Sequence, residues 1–502
     1  MMTSLPESAP SRHGVDAGGI GAFLDAADGI ELHSLMILRH GHVIASGWWE
    51  PYRQDRPGLL YSLSKSFTST AAGLAIAEGL LDLDAPVISY FPELDGDVMD
   101  PSSRAMLVRH IASMSSGHLA DTWPAVLAAD RDRPVRGFLR MPPERDPGTV
   151  FAYNQSCTYT LATIIQRVAG QPLIEYLRPR LFDPIGIGAA AWDEFPPGQA
   201  LGFSGLYVTT DAIARLGQLY LRGGQWDGRQ VIPADWVAEA TRPHIATQPD
   251  ATPDWRQGYG FQFWKSRHGY RGDGAYGQFC LVLPEQDAVI AITAGTENMQ
   301  GILDAVWAHL LPAFGPVAGG SAADVPGDSA AQAADAAQAA DAALAKRLAS
   351  LRLRPAPAMP ADRPADASPI VLLPSAQAAA ALPPVRRIEV ENRKITLFED
   401  TLSVELRLTD GADGADGAEG EWHVTDGPVP VAASGGWTGP DTLSVDIVFL
   451  QTPHRLSLSC SLGDGTFGAR WHTRSLDRLS SLSRLRSPGE GGSPLPAAER
   501  AR

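Results

Sequence analysis

The sequence predicts an α+β chain: an antiparallel sheet flanked by helices, followed by a small C-terminal all-β, barrel-like domain. Three observations predict it. Apolar strand pairs stand near both ends of the first 314 residues, at 35–38 with 43–49 and at 279–283 with 288–293. The stretch between them carries helix-period patterns. From residue 386 the pattern turns to short alternating runs separated by Gly- and Asp-rich loops, as antiparallel strands require. A single sheet completed by both ends of the first domain accounts for the two strand pairs.

Residues 1–18 are polar and irregular, and Ile20, Phe23, Leu24 and Ala27 then give a short helix. The first strand pair turns at residues 39–42. The next helix opens near Ser62, carries Phe67, Ala71, Leu74 and Ala75 on one face, and runs to about Glu78. Pro86 biases its predecessor away from helix and ends that stretch. Residues 108–114 form a short helix, and residues 158–168 a longer one closed by Gly170 with Pro172 beyond. Residues 209–222 are helical up to Gly223 and Gly224, and residues 302–314, with Trp307, close the domain. A repeated Ala-Gln-Ala-Ala-Asp-Ala at 331–342, helical or not but without an apolar stripe wide enough for a core, and an extended Pro/Ala-rich run at 355–384 read as a linker. The expected divisions are therefore 13–314 for the first domain, 315–384 for the linker, 385–478 for the C-terminal β domain and 479–502 for a disordered tail.

Composition narrows the classes of function. A chain of 502 residues exceeds what one core usually serves, so two or more domains are expected. Its 44% hydrophobic and 20% charged residues fit a soluble globular protein. A formal net charge of −16 argues against nucleic acid and against an anionic membrane surface as partners. Cys157, Cys280 and Cys460 match no metal spacing and are expected as free thiols in a reducing compartment. The N-terminal residues lack the basic start and apolar core of a signal peptide, and no run approaches 18 apolar residues. The expectation is a cytoplasmic protein without a membrane span; homo-oligomerisation is left open.

The chemistry centres on Ser62-Leu63-Ser64-Lys65. On a helix, positions i and i+3 share a side, so the Ser62 hydroxyl and the Lys65 amine can meet. A serine hydroxyl needs a neighbour to take its proton, and a lysine can do so when burial or another cation lowers its pKa. Only Lys65, Lys265, Lys346 and Lys394 are lysines, and Lys65 alone has a serine three residues before it. Taken by itself the tetrad also describes a serine helix cap followed by a solvated lysine.

The segment around residues 61–70 resembles the serine β-lactamase and penicillin-binding-protein superfamily, and more closely its class C β-lactamase-like serine hydrolases and esterases. The resemblance covers about residues 13–314 and implies a β-lactamase/transpeptidase-like domain. It also implies Ser62 as nucleophile and Lys65 as general base or proton shuttle. The family's Y-x-N motif is matched by Tyr153, Asn154 and Gln155, about 90 residues after Ser62. Tyr153 is then a base toward Ser62, its phenol lowered by Lys65, and either Asn154 or Gln155 orients a substrate carbonyl. The family's third motif falls on residues 270–278, with Arg271 at the Lys or His position and Asp273 where glycine is expected. Arg271 would bind a substrate carboxylate, or pair with Asp273 and be cancelled; a slipped register would bring in His268. The implied oxyanion hole is the Ser62 N–H with roughly the Gly274 N–H. Residues 106–117 and 202–210 resemble two further family segments and are read as architecture, and His110 and His118 as local hydrogen-bond partners.

The expected activity is hydrolysis of a small-molecule ester or amide through an acyl-enzyme, with no metal and no organic cofactor. The alternatives are a β-lactamase or D-aminopeptidase activity, and a catalytically inactive scaffold or ligand-binding protein of the same fold. Similar enzymes sometimes carry a lipocalin-like barrel, which the residues after 385 resemble.

Overall fold

The computed structural model describes residues 4–315, 327–356, 369–391, 394–408, 421–439, 441–476 and 481–489. Its first domain is built on a six-stranded antiparallel sheet. The strands are β1 (Leu32–Arg39), β2 (His42–Trp48), β3 (Trp264–Lys265), β4 (Tyr270–Gly274), β5 (Gln278–Leu283) and β6 (Ala288–Ala294), in the spatial order β2-β1-β6-β5-β4-β3. The two predicted strand pairs thus meet in the centre, where β1 pairs with β6 and Ile37 faces Ile290.

The sheet is buried on both faces, which is why its strands read as nearly unbroken apolar runs. Alternate residues point to opposite sides. Met36, Leu38, Val289 and Ala291 join the larger core; Leu35, Ile37, Ile290 and Ile292 join the core behind the sheet. Behind it lie α1 (Ala17–Ala26) and the closing helix Met299–Ala305, which continues through a wider turn at Val306–Leu310. In front lie α2 (Ser64–Ala77), α3 (Gln155–Ala169) and α4 (Thr210–Leu221).

The structure buries α2 on every side, where the sequence suggested one apolar face. Four of its hydroxyls help make this possible, because each finds an acceptor as a buried polar group must. Ser66 donates to the Gln262 carbonyl at 3.2 Å, Thr68 to Gly202 at 2.8 Å, Ser69 to Phe261 at 2.7 Å and Thr70 to Ser66 at 2.8 Å. The helix is consequently fixed to two segments distant in sequence, at Gly202 and at Phe261 and Gln262. α3 begins three residues earlier than its periodicity suggested, because the Asn154 side chain caps it by accepting from the Ser156 N–H at 3.1 Å. Gly170, at φ 67°, ends it as expected.

Part of the expected linker is ordered structure. Helix Gly327–Leu348 lies along α1 and buries Leu344 and Leu348 in the core behind the sheet. Residues 370–374, inside the Pro/Ala-rich run, form the strand Ile370–Pro374 of the C-terminal sheet, which therefore starts before residue 385. Among the described residues that sheet has nine strands and nearly closes into a barrel, with Ile388, Val390, Leu406, Val445, Ile447 and Leu458 inside it. Leu482 and Leu485, assigned to the tail, pack on the same core, while residues 490–502 lie outside the described residues, as do 409–420. The three cysteines are buried and free. No helix among the described residues is long and apolar enough to cross a membrane.

Candidate active site

Ser62 lies in the tight turn Tyr61–Leu63 that leads into α2, and remains partly exposed. Lys65, one turn on, is 1% exposed. Its Nζ lies 3.0 Å from Ser62 Oγ, 2.7 Å from Gln155 Oε1 and 2.9 Å from the Phe203 carbonyl oxygen. Burial lowers its pKa from 10.5 to about 7, against the weaker opposing pull of Asp121 and Asp273. A neutral amine fits these partners: it donates to Gln155 and Phe203 and accepts from the Ser62 hydroxyl.

Tyr153 also reaches the site, its hydroxyl hydrogen-bonded to Ser62. Its ring stacks on Trp264 with centroids 5.4 Å apart, and Lys65 Nζ lies 4.7 Å from the ring centroid. The expectation of a phenol lowered by Lys65 fails. Burial pushes Tyr153 well above 10, with Asp273 adding to the rise. The group brought into the neutral range is the amine.

The two amides of the second motif separate. Gln155 holds Lys65, and its own N–H donates to Asp121 Oδ1 at 2.9 Å. Asn154 is fully buried, and its Oδ1 accepts from Thr122 N–H, Thr122 Oγ1 and Ser156 N–H as a helix cap, while its Nδ2 has no hydrogen-bond partner among the described residues.

Arg271 does not face the cleft. It is 0% exposed, donating through Nε to Asp273 at 2.9 Å and through Nη1 to Asp254 O, Lys265 O and Ser266 Oγ. Its guanidinium lies 4.5 Å from the centre of the Trp255 ring. The pairing with Asp273 left open by the sequence is the one observed. His268 packs against Trp307 instead. Two glycines let β4 approach the turn that carries Ser62: a Cβ on Gly272 would collide with Leu63 and Ser66, and one on Gly274 with the Leu60 carbonyl.

The profile of the Beta-lactamase family matches residues 23–310. The chain belongs to the β-lactamase family. Within it, the chain is similar to the 6-aminohexanoate-dimer hydrolase of Paenarthrobacter ureafaciens, 29% identical over 279 residues that cover 51% of this chain and 71% of that one. It is also similar to lovastatin esterase of Penicillium rubens, 28% identical over 34% of this chain and 49% of that one. Esterase EstB of Burkholderia gladioli is 25% identical over 36% and 53% respectively, so the chain spans about half the length of these two esterases. A Bacillus anthracis protein assigned as a 6-aminohexanoate-dimer hydrolase shares the fold at TM-score 0.52 and 20% identity, over 62% of this chain and 88% of that one. The chain is thus a hydrolase of the β-lactamase fold.

Two partners in this β-lactamase-family site escaped sequence reasoning. Phe203 contributes a backbone carbonyl, which no residue type announces; its segment, read as architecture, also bonds Ser64 Oγ through the Leu206 N–H at 3.1 Å. Tyr61 adopts φ 48°, a left-handed conformation that sequence pattern does not reveal in a tyrosine. His110 and His118 make the local bonds expected of them, to Leu107 N–H and to Ser116 and Met141.

Proposed function

We propose that the protein is a serine hydrolase that cleaves a neutral ester or amide through an acyl-enzyme on Ser62. The supporting observation is the buried Lys65 amine, 3.0 Å from Ser62 Oγ with a pKa near 7. Neutral Lys65 takes the hydroxyl proton as Oγ adds to the substrate carbonyl. The negative charge developing on the carbonyl oxygen is received by the N–H groups of Ser62 and, at the end of β4, Gly274. As the adduct collapses, the leaving group takes a proton that Lys65 passes through the Tyr153 hydroxyl. Water then attacks the acyl-enzyme and the same groups act in reverse. The high pKa of Tyr153 suits a relay that accepts one proton while giving up another, and disfavours a standing phenolate.

A neutral substrate is favoured because Arg271, the cation expected to receive a carboxylate, is buried and paired. The ring of Phe203 lies 5.6 Å from Lys65 Nζ, with Trp123 against it at 5.0 Å, so the ground beside the nucleophile is apolar and aromatic. β-Lactams and D-alanyl peptides present a carboxylate near the scissile amide; this site offers it no Arg271.

Intact mass after incubation with a fluorophosphonate tests the reading. One adduct is expected on the wild type and none on Ser62→Ala. A folded wild type that takes no adduct would leave only the scaffold or ligand-binding alternative. A pH profile gives a second check: kcat/KM for a short-chain p-nitrophenyl ester is expected to rise with pH through about 7, as Lys65 loses its proton. A profile flat from pH 6 to 8 would remove Lys65 as the base.

A further inference from the structure

The turn that carries Ser62 is held from outside its own domain. Tyr61, directly before Ser62, is in the left-handed region at φ 48°, which a non-glycine residue keeps only when its surroundings fix it. Its ring is 6% exposed and its hydroxyl lies 2.8 Å from Nε2 of His454. His454 belongs to the C-terminal sheet, just before strand Arg455–Ser461. Its Nδ1 lies 3.2 Å from the Thr473 carbonyl oxygen. A carbonyl only accepts, so Nδ1 carries the proton, Nε2 accepts, and the Tyr61 hydroxyl donates to it. The Tyr61 oxygen in turn accepts from Ser475 and from the Leu476 N–H. Burial keeps the imidazole neutral, with its pKa lowered to about 3.

The second wall of the site is gripped by the same turn. Tyr276, two residues beyond Gly274 and also left-handed at φ 66°, donates its hydroxyl to the Arg474 carbonyl. The rings of Tyr61, Tyr276 and His454 meet edge to face, with centroids 5.7 to 5.9 Å apart. The Leu59 N–H donates to the Gln451 carbonyl at 2.9 Å. The segment leading into Ser62 and the loop after β4 are therefore both anchored to residues 451–474 of the C-terminal domain.

We propose that His454 is a positioning residue for catalysis: by accepting the Tyr61 hydroxyl, the C-terminal domain holds the strained turn that aims Ser62 at Lys65 and the substrate carbonyl. The proposal rests on Ser62 being the nucleophile. If the contact merely joined two domains, its loss would lower stability and leave the reactivity of each folded molecule unchanged.

The test compares the rate of fluorophosphonate labelling, together with kcat and KM on a p-nitrophenyl ester, for wild type, Tyr61→Phe, His454→Ala and His454→Gln, each first checked for folding by circular dichroism. Tyr61→Phe keeps the ring and loses only the hydroxyl. It is expected to slow labelling and lower kcat about tenfold with KM little changed, the scale of one lost hydrogen bond. His454→Ala should fall alike. His454→Gln, whose side-chain oxygen takes the place of Nε2, should recover most of the rate, which a bulk structural role would not predict. Folded Tyr61→Phe labelled at the wild-type rate would overturn the proposal even if His454→Ala fails to fold. A wild type without label on Ser62 would instead overturn the hydrolase reading beneath it.

Discussion

Replacing Lys65 by methionine is expected to lower kcat/KM by on the order of 10⁴-fold, the scale on which one member of a concerted nucleophile–base unit is lost. The same change should leave the fold nearly as stable as before. The folded pKa of Lys65, about 7, lies below its ordinary 10.5. The unfolded chain therefore binds more protons between those values, and stability contributed through this group rises with pH across that window. Below pH 7 the buried amine costs the full penalty, on the order of 3–5 kcal/mol. Methionine removes that penalty but leaves Gln155 Oε1 and the Phe203 carbonyl without their donor, roughly 1–3 kcal/mol each. The two effects nearly offset at neutral pH. Urea denaturation at pH 6 and pH 9 checks this: the wild type should gain on Lys65→Met as pH rises. Wild-type turnover in the variant would sink the assignment of Lys65.

Asp273→Ala is expected to destabilise the protein by about 3–5 kcal/mol, because it strands a guanidinium in the interior. Arg271 and Asp273 are 0% and 6% exposed, and Arg271 Nη2 has no hydrogen-bond partner among the described residues. Burial opposes both charges, so the pair persists through mutual attraction and the carbonyls around it. Removing both members in Arg271→Met with Asp273→Leu should cost far less than removing Asp273 alone. Urea midpoints for the single and double variants measure the difference. A cost under 1 kcal/mol for Asp273→Ala would mean that strand β4 does not depend on the pair to keep its place beside Ser62.

The sequence was most informative where a residue type and a period coincide. Unbroken apolar runs mark a sheet covered on both faces, and Ser62 with Lys65 at helical spacing marks a pair of side chains that meet at 3.0 Å. It was least informative where the backbone acts. The Phe203 carbonyl and the left-handed Tyr61 carry no compositional trace. Asn154 and Gln155 are adjacent amides that only capping geometry separates. Arg271 reads as a ligand for a carboxylate until burial and Asp273 are seen. The C-terminal sheet shows the same limit: Val431–Trp437, with its Ala, Ser and Gly residues, is a strand made by its neighbours rather than by its own propensity.

The helix Gly327–Leu348 has a bearing on how such a chain changes over time. Beyond burying Leu344 and Leu348, it fixes Arg347 to the Gly21 carbonyl and Asp25, and the Leu353 N–H that follows donates to the Glu50 carbonyl. The described part of the stretch between the first sheet and the barrel, residues 327–356, is thus a strap stitched to the far side of the sheet from Ser62, while the barrel returns to touch the turn before Ser62. A recombination breakpoint at residue 315 would strip an apolar surface and unpin Tyr61 in one event. A change in either half is therefore felt in the other.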